Sequence, residues 1–364
     1  MKNIVVLGAG KIGVMIGALL AYPEDVGVPY IVTIADQNSA AFDKLPPLLR
    51  ERAQEVNVND SEQLDALLAD ADVVVNALPF FLTETVATAA AHNHCHYLDL
   101  TEDVKSTKRV RELAASAETA FIPQCGLAPG FISIAAYHLT QKFDTLRDVN
   151  MRVGALPQYP SNALKYNLTW STDGLINEYL HPCEAVILGK LTTVAPLEGL
   201  STFSLDGVEY EAFNTSGGLG SLADTLEGRV ENLNYKSIRY PGHNALMRAL
   251  LHDLRLGRKP QLLKQIMEDA IPATTQDVVL VYVSVSGKQK GRLLKETYIR
   301  KIYNREIAGE MRSAIQITTA SGICAVLDLL CSGELPQQGF VKQEDIPFEL
   351  FINNRFGKNY HHDR

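Results

Sequence analysis

Cysteine, basic charge and long apolar runs are all in short supply in this sequence. The five cysteines (Cys95, Cys125, Cys183, Cys324, Cys331) are an odd number, and none stands in a CxxC pair. That fits reduced thiols in a cytosol and not a disulfide framework or a zinc site. His92, His94, Cys95 and His96 crowd together like metal ligands, but strand alternation would put Cys95 opposite the histidines. No partner motif supplies the remaining ligands, so no metal is expected. The formal charge is −8 with no basic cluster to offset it, which argues against nucleic acid or an anionic membrane as partner. No apolar run reads as long enough to span a bilayer. A strand pattern begins too soon after Met1 to leave room for a leader, so the expected compartment is the cytoplasm.

What is present is ordinary globular composition, 46% apolar and 21% charged over 364 residues. That length exceeds what one core usually supports, so two domains are expected, and no repeat or low-complexity linker separates them. Asn3 to Leu7 (NIVVL) reads as a strand buried on both faces, followed by glycines and a helix from Ile12 to Ala21. Further strands are expected at Tyr30 to Ala35, Asp72 to Ala77, Tyr97 to Leu100 and Ala120 to Pro123. Helices are expected at Ser61 to Leu68, Glu84 to Ala91 and Val104 to Ala117. Leu45 to Val58 reads as a helix and then a short strand near Glu55 to Val58. Such alternation predicts an α/β fold, a doubly wound parallel sheet of Rossmann type. After Gly130 the pattern becomes α+β, with strands near Asp148 to Gly154, Val208 to Ala212 and Val278 to Val285. A late apolar helix runs from Thr319 to Cys331 and ends at Gly333.

The loop GAGKIG spans Gly8 to Gly13, after the first strand and at the start of a helix. Gly8 permits the tight turn, Gly10 lets backbone approach a pyrophosphate, and Gly13 lets helix and strand pack closely. Lys11 and Ile12 open the helix, whose N-terminus offers free N–H groups to phosphate. Asp36, at the end of the second strand, is placed to bind a ribose diol and to repel a 2′-phosphate. The cofactor expected is therefore NAD rather than NADP. Asn76, Ala77, Leu78 and Pro79 close the fourth strand at the carboxyl edge. They either line the cofactor channel or simply end the strand.

The stretches NALPFFLTETVATAAAHNHCHYLDL, CGLAPGF, YNLTWSTDGLINEY, EAFNTSGG and YKSIRYPGH occur in the order found in the saccharopine dehydrogenase family. The whole chain resembles that family, most closely its lysine 6-dehydrogenase branch. The resemblance implies a Rossmann domain (1–127), an inserted α+β substrate and dimerisation domain (128–315), and a C-terminal helix and tail (316–364) returning to the first domain. It also implies NAD(P)-linked oxidation of an amino-acid amine in a homodimer. Saccharopine-forming members carry an Arg in the segment that here reads YNLTWSTDG. Asp173 stands at that place, and it would attract a substrate ammonium, unless it only caps the next helix.

Other residues in these motifs have chemistry to offer. Asp99 is a candidate acid/base or a group that orients the substrate amine, the alternative being the cap of the helix at Val104. His243, after a Pro-Gly turn, is a candidate proton carrier or a structural histidine. Thr215 and Ser216, with Gly217 and Gly218, form a loop able to receive a carboxylate. Arg239 is the candidate partner of the substrate carboxylate, the alternative being a surface pair with a Glu. Tyr166 and Asn167 are candidates to line the pocket, with core packing as the alternative for Tyr166. The expected reaction is NAD-dependent oxidation of the side-chain amine of a diamino acid such as lysine. A reductive condensation of the saccharopine or carboxynorspermidine type is the rival reaction, and an inactive NAD-binding sensor is the non-enzymatic one.

Overall fold

The computed structural model describes residues 1–22, 29–307 and 309–361. The chain divides into two compact units, residues 1–134 with 316–361, and residues 135–315. The last residues of the expected tail, 362–364, lie outside the described residues.

The first unit runs β1 (Lys2–Leu7), α1 (Lys11–Ala21), β2 (Tyr30–Asp36), α2 (Pro47–Arg50), β3 (Ala53–Glu55), α3 (Ser61–Leu68) and β4 (Val73–Asn76). It continues with α4 (Thr83–His92), β5 (His96–Asp99), α5 (Val104–Ala114) and β6 (Ala120–Ile122). Its sheet has seven parallel strands, ordered β3-β2-β1-β4-β5-β6 with the short strand Gly339–Phe340 beyond β6. The continuous apolar runs follow from this: Val6, Leu7 and Val73 to Val75 are fully buried, as strands covered on both faces must be. Strand order reverses between β1 and β4, which opens a crevice at their carboxyl ends. The expected helix within Leu45 to Val58 shrinks to one turn, because Pro46 and Pro47 let a helix start only at Pro47. The strand there sits earlier than expected, at Ala53–Glu55, where it pairs with Ile34 to Asp36.

Helix α6 (Phe131–Thr140) leads into the second unit, which holds β7 (Thr145–Pro157), α7 (Thr172–Leu180), β8 (Cys183–Ile187), β9 (Lys190–Val194), β10 (Ser201–Leu205), β11 (Val208–Asn214) and α8 (Leu222–Leu226). Then come β12 (Val230–Arg239), α9 (His243–Arg248), α10 (Pro260–Ala270), β13 (Asp277–Gln289) and β14 (Arg292–Tyr303). The main sheet is ordered β10-β11-β12-β7-β13-β14, and only β12 and β7 run parallel. Strand β12 has no clean apolar alternation and was not expected. Its place is set by neighbours, including Asn232 Nδ2 donating to Asp148 and Asn234 Nδ2 donating to Asn150, each at 2.9 Å. Strand β14 likewise forms because it pairs along its length with buried β13, not because RLLKETYIRKIY favours a strand.

Helix α11 (Ala314–Cys331) begins well before the expected Thr319, and α12 (Phe348–Asn353) follows it. Its early start has a cause remote in sequence: the Asp277 carboxylate accepts the Ala314 amide at 2.5 Å and the Ile315 amide at 3.1 Å. These are orphan donors of a helix N-terminus. The longer helix also corrects the expectation about apolar runs. At 18 residues and mean hydropathy 1.7 it has the length and composition of a membrane span, yet 83% of it is buried inside the protein.

Asp277→Ala should destabilise the protein by about 1–3 kcal/mol in urea unfolding, since two buried amides lose their acceptor. Asp277→Asn, which keeps one acceptor oxygen, should lose less.

Candidate dinucleotide and amino-acid sites

In the first unit, the glycine loop has the geometry that its residue types require. Gly8 has φ +105°, and a Cβ there would lie 3.0 Å from the Ala77 carbonyl oxygen. A Cβ on Gly13 would lie 1.8 Å from the Gly8 oxygen, so only glycine lets α1 approach β1. Gly10 is exposed, and a Cβ there would meet nothing within 4 Å, which leaves the loop open where a pyrophosphate would come. No side chain caps α1 and no acid stands in its first turn, so its positive end is available to an anion. Lys11 is exposed and Ile12 half-buried at that end. Asp36 closes the loop from β2: one carboxylate oxygen accepts the Ala9 amide at 2.7 Å, the other the Asn38 amide at 2.9 Å. Half-buried, it keeps lone pairs for a diol. The residues present fit a dinucleotide.

At the end of β4 the structure redistributes the expected roles. Asn76 is buried and its side chain turns inward. Its oxygen caps the Leu78 amide at 3.1 Å, and its nitrogen donates to the Tyr97 hydroxyl at 3.2 Å. Ala77, Leu78 and Pro79 are left at the surface of the turn, with Ala77 and Leu78 against Gly8. Asp99 is 1% exposed. One of its oxygens accepts the Tyr97 hydroxyl at 2.8 Å, and the other accepts the Gln124 and Thr101 amides at 2.9 and 3.0 Å. Burial pushes its pKa up to about 6, against those three donors. It caps no helix either, because Asp103 caps α5. Asp99 is thus a tie across the carboxyl ends of β4, β5 and β6, too deeply buried for acid/base work on a ligand. This corrects the catalytic expectation.

In the second unit, Arg239 at the end of β12 is 4% exposed, not a surface arginine. Its Nε donates to the Tyr179 hydroxyl at 3.0 Å and its Nη1 to the Ile238 carbonyl at 2.8 Å. Its guanidinium carbon lies 5.2 Å from the Tyr166 ring centre and 5.9 Å from that of Tyr179. Among the described residues, nothing accepts a hydrogen bond from Nη2. His243 is 1% exposed, with Nδ1 2.8 Å from the Leu164 carbonyl and Nε2 3.0 Å from the Tyr179 hydroxyl. Burial, aided by the Arg239 charge, lowers its pKa to about 3. A histidine held neutral with both nitrogens bonded does not carry protons near neutral pH, which corrects that expectation.

Three more expected residues prove to be occupied. Asp173 is exposed and pairs with Lys264 at 2.6 Å, while Ser171 caps α7 in its stead. Thr215 shares a 2.8 Å hydrogen bond with Ser237, and the Ser216 amide donates to the Glu178 carbonyl at 3.1 Å. The Ser216 hydroxyl reaches the Asn177 carbonyl at 3.4 Å, so both hydroxyls of the loop are already engaged within the protein. Asn167 donates to the Pro272 carbonyl at 3.1 Å, and its buried oxygen has no partner. Tyr166 is buried in one cluster with Tyr179, Phe213 and Met247. Tyr97 and Tyr179 went unnoticed in the sequence. Their role lies in hydroxyls that bridge distant residues, and neither stands in a spacing that marks it.

Residues 4–122 match the family described as "Saccharopine dehydrogenase NADP binding domain", and residues 126–356 match "Saccharopine dehydrogenase C-terminal domain". The chain belongs to the saccharopine dehydrogenase family. Its first unit is accordingly a pyridine-nucleotide-binding domain. Among curated relatives, the mitochondrial alpha-aminoadipic semialdehyde synthase of Bos taurus is 22% identical over 322 residues, covering 83% of this chain and 33% of that protein. The chain thus spans about one third the length of that relative. The saccharopine dehydrogenase [NADP(+), L-glutamate-forming] of Pyricularia oryzae is 22% identical over 305 residues, covering 79% of this chain and 65% of that one. Among solved structures, apo saccharopine dehydrogenase (L-Glu forming) from Saccharomyces cerevisiae superposes with a TM-score of 0.79. There the identity is 16% and 97% of each chain is covered, which establishes the shared fold.

His243 yields a pH prediction with a definite sign. Neutral in the fold, it stabilises fully above the ordinary histidine pKa of about 6.5, and that stability is lost as pH falls toward about 3. Between about pH 7 and pH 4.5 the wild type should lose about 2–3 kcal/mol more than His243→Phe in urea unfolding. Asp99 and Asp277, whose raised pKa values act in the opposite direction, cancel in the comparison.

Proposed function

We propose that this saccharopine dehydrogenase family member is an NAD-dependent dehydrogenase of the side-chain amine of a diamino acid, with L-lysine the first substrate to test. The observation that carries the reading is Arg239: a buried, permanently charged guanidinium with an unspent donor edge, walled by two tyrosine rings. A carboxylate is the anion such a fork receives best. Asp36 supports NAD, because a carboxylate already bound to the glycine loop favours a free ribose diol and repels a 2′-phosphate. The Pyricularia oryzae relative, named as NADP(+)-linked, makes this the point to test first.

When bound, the nicotinamide supplies the hydride acceptor. The amine-bearing carbon gives up a hydride and the nitrogen a proton, leaving an imine. Water then adds and ammonia leaves to give the aldehyde, or the α-amine adds to the imine carbon and ammonia leaves to give a cyclic imine. The protein's own part is to hold the carboxylate on Arg239 and to keep water from it with Tyr166 and Tyr179. With Asp99 and His243 both tied up, the neutral amine is drawn from solution. Asp173, paired with Lys264, no longer argues for a substrate ammonium. The choice of lysine over saccharopine rests on resemblance and awaits the assay. The proposed assembly is the homodimer that the resemblance implies.

A panel of L-lysine, L-ornithine and related diamines with NAD and NADP should show NADH formation. The value of kcat/KM should climb with pH toward the amine's own pKa of about 10. Absence of turnover with every amine would sink the reading. Consumption of NADPH only with an aldehyde plus L-glutamate would establish the reductive condensation that the relatives' names favour. Arg239→Ala should raise KM for the amino acid by ~100-fold, the worth of a buried charged fork, and leave KM for NAD within about twofold. Asp36→Ser should shrink the preference for NAD over NADP by about tenfold or more.

A further inference from the structure

We propose that Tyr179 is a positioning residue that aims Arg239 at the substrate, as the middle link of a hydrogen-bond chain with one possible direction. The inference rests on the reading of Arg239 as the carboxylate anchor. The chain starts at the Leu164 carbonyl, which can only accept, so the His243 Nδ1 at 2.8 Å carries the proton. Since His243 is neutral, its Nε2 is then a bare acceptor, and the Tyr179 hydroxyl at 3.0 Å must donate to it. The tyrosine oxygen faces Arg239 with lone pairs, and it takes the Nε–H at 3.0 Å. The Leu164 carbonyl dictates the first polarity, and a neutral ring passes it on to the others.

The consequence for Arg239 is specific. Nε is committed to Tyr179 and one Nη1 hydrogen to the Ile238 carbonyl. The second Nη1 hydrogen and both on Nη2 remain, one of the Nη2 pair on the Nε edge and one on the end edge. The side-on fork, which needs Nε, is therefore closed, and Nη2 is the nitrogen left whole to receive a carboxylate. The rings of Tyr166 and Tyr179 hold the plane from the sides, and His243 in turn lies parallel to Phe213, 8° between planes at 6.3 Å. A neutral histidine suits this task better than a charged one. It accepts from the tyrosine, and it adds no second positive charge beside Arg239.

The test is kinetic, with L-lysine as probe and L-lysinamide as its uncharged control. Tyr179→Phe keeps the ring wall and removes only the hydroxyl. It should raise KM for L-lysine by ~10-fold, the worth of one charged hydrogen bond, with kcat within about twofold and NADH affinity unchanged. In the Arg239→Ala background the same substitution should add nothing, because its effect passes through Arg239. L-lysinamide, which has no carboxylate to misplace, should respond to neither substitution. An unchanged KM for L-lysine in Tyr179→Phe overturns the proposal. So does an effect that adds fully to that of Arg239→Ala, or one that is equal for lysine and lysinamide. If Arg239→Ala alone leaves KM unmoved, it is the carboxylate-anchor reading that fails. If the wild type does not turn over L-lysine, calorimetric binding of L-lysine replaces KM in the same comparison. Absence of binding by the wild type overturns the anchor reading together with the role of Tyr179.

Discussion

A guanidinium removed from water is the constraint around which the second unit is organised. Burying a charge without hydrogen-bond partners costs several kcal/mol, so its surroundings must supply them. Here the partners are the Tyr179 hydroxyl, the Ile238 carbonyl and two aromatic faces, rather than a carboxylate salt bridge. A carboxylate bonded across the guanidinium would have used up the charge. Neutral acceptors and ring faces tolerate it and leave it available to a ligand. Burial, with the same charge adding to it, keeps His243 neutral, and the Leu164 carbonyl fixes its tautomer and through it the orientation of Tyr179. The aromatic cluster of Tyr166, Tyr179 and Phe213 is thus electrostatic scaffolding as well as core.

The first unit meets a different constraint, the close approach of backbone to backbone at the switch in strand order. Gly8 and Gly13 admit that approach, and the turn at Ala77 and Leu78 is the surface they approach. Behind that turn, Asn76, Tyr97 and Asp99 form a buried relay that joins the ends of β4, β5 and β6.

Much of the first unit was legible in the sequence, because a parallel strand buried on both faces must be apolar throughout. Stretches such as NIVVL and VVVN announce themselves, and a glycine loop between such a strand and a helix has one principal use. The second unit was less legible. Strands β12 and β14 owe their conformation to the strands beside them, and the start of α11 depends on Asp277, far away in the chain. The candidate site residues divide in the same way. Arg239, Tyr166 and the glycine loop could be named from motifs. That Asp99, His243, Asp173, Thr215 and Ser216 have their polar groups engaged within the protein could not, since a motif gives residue types and not hydrogen-bond partners.

The sequence by itself determined that a pyridine-nucleotide domain opens this chain, and which family it belongs to. Glycine spacing after an apolar strand is a local property, and ordered motifs survive without knowledge of any contact. Returning to the loop at Gly8 to Gly13, what tertiary structure added was its neighbour Asp36, joined to the Ala9 amide, and the turn at Ala77 on which it rests. Only the fold decided which polar side chains keep a free valence. Burial and hydrogen-bond partners are set by residues distant in sequence, and they leave Arg239 with donors to offer while closing off Asp99 and His243.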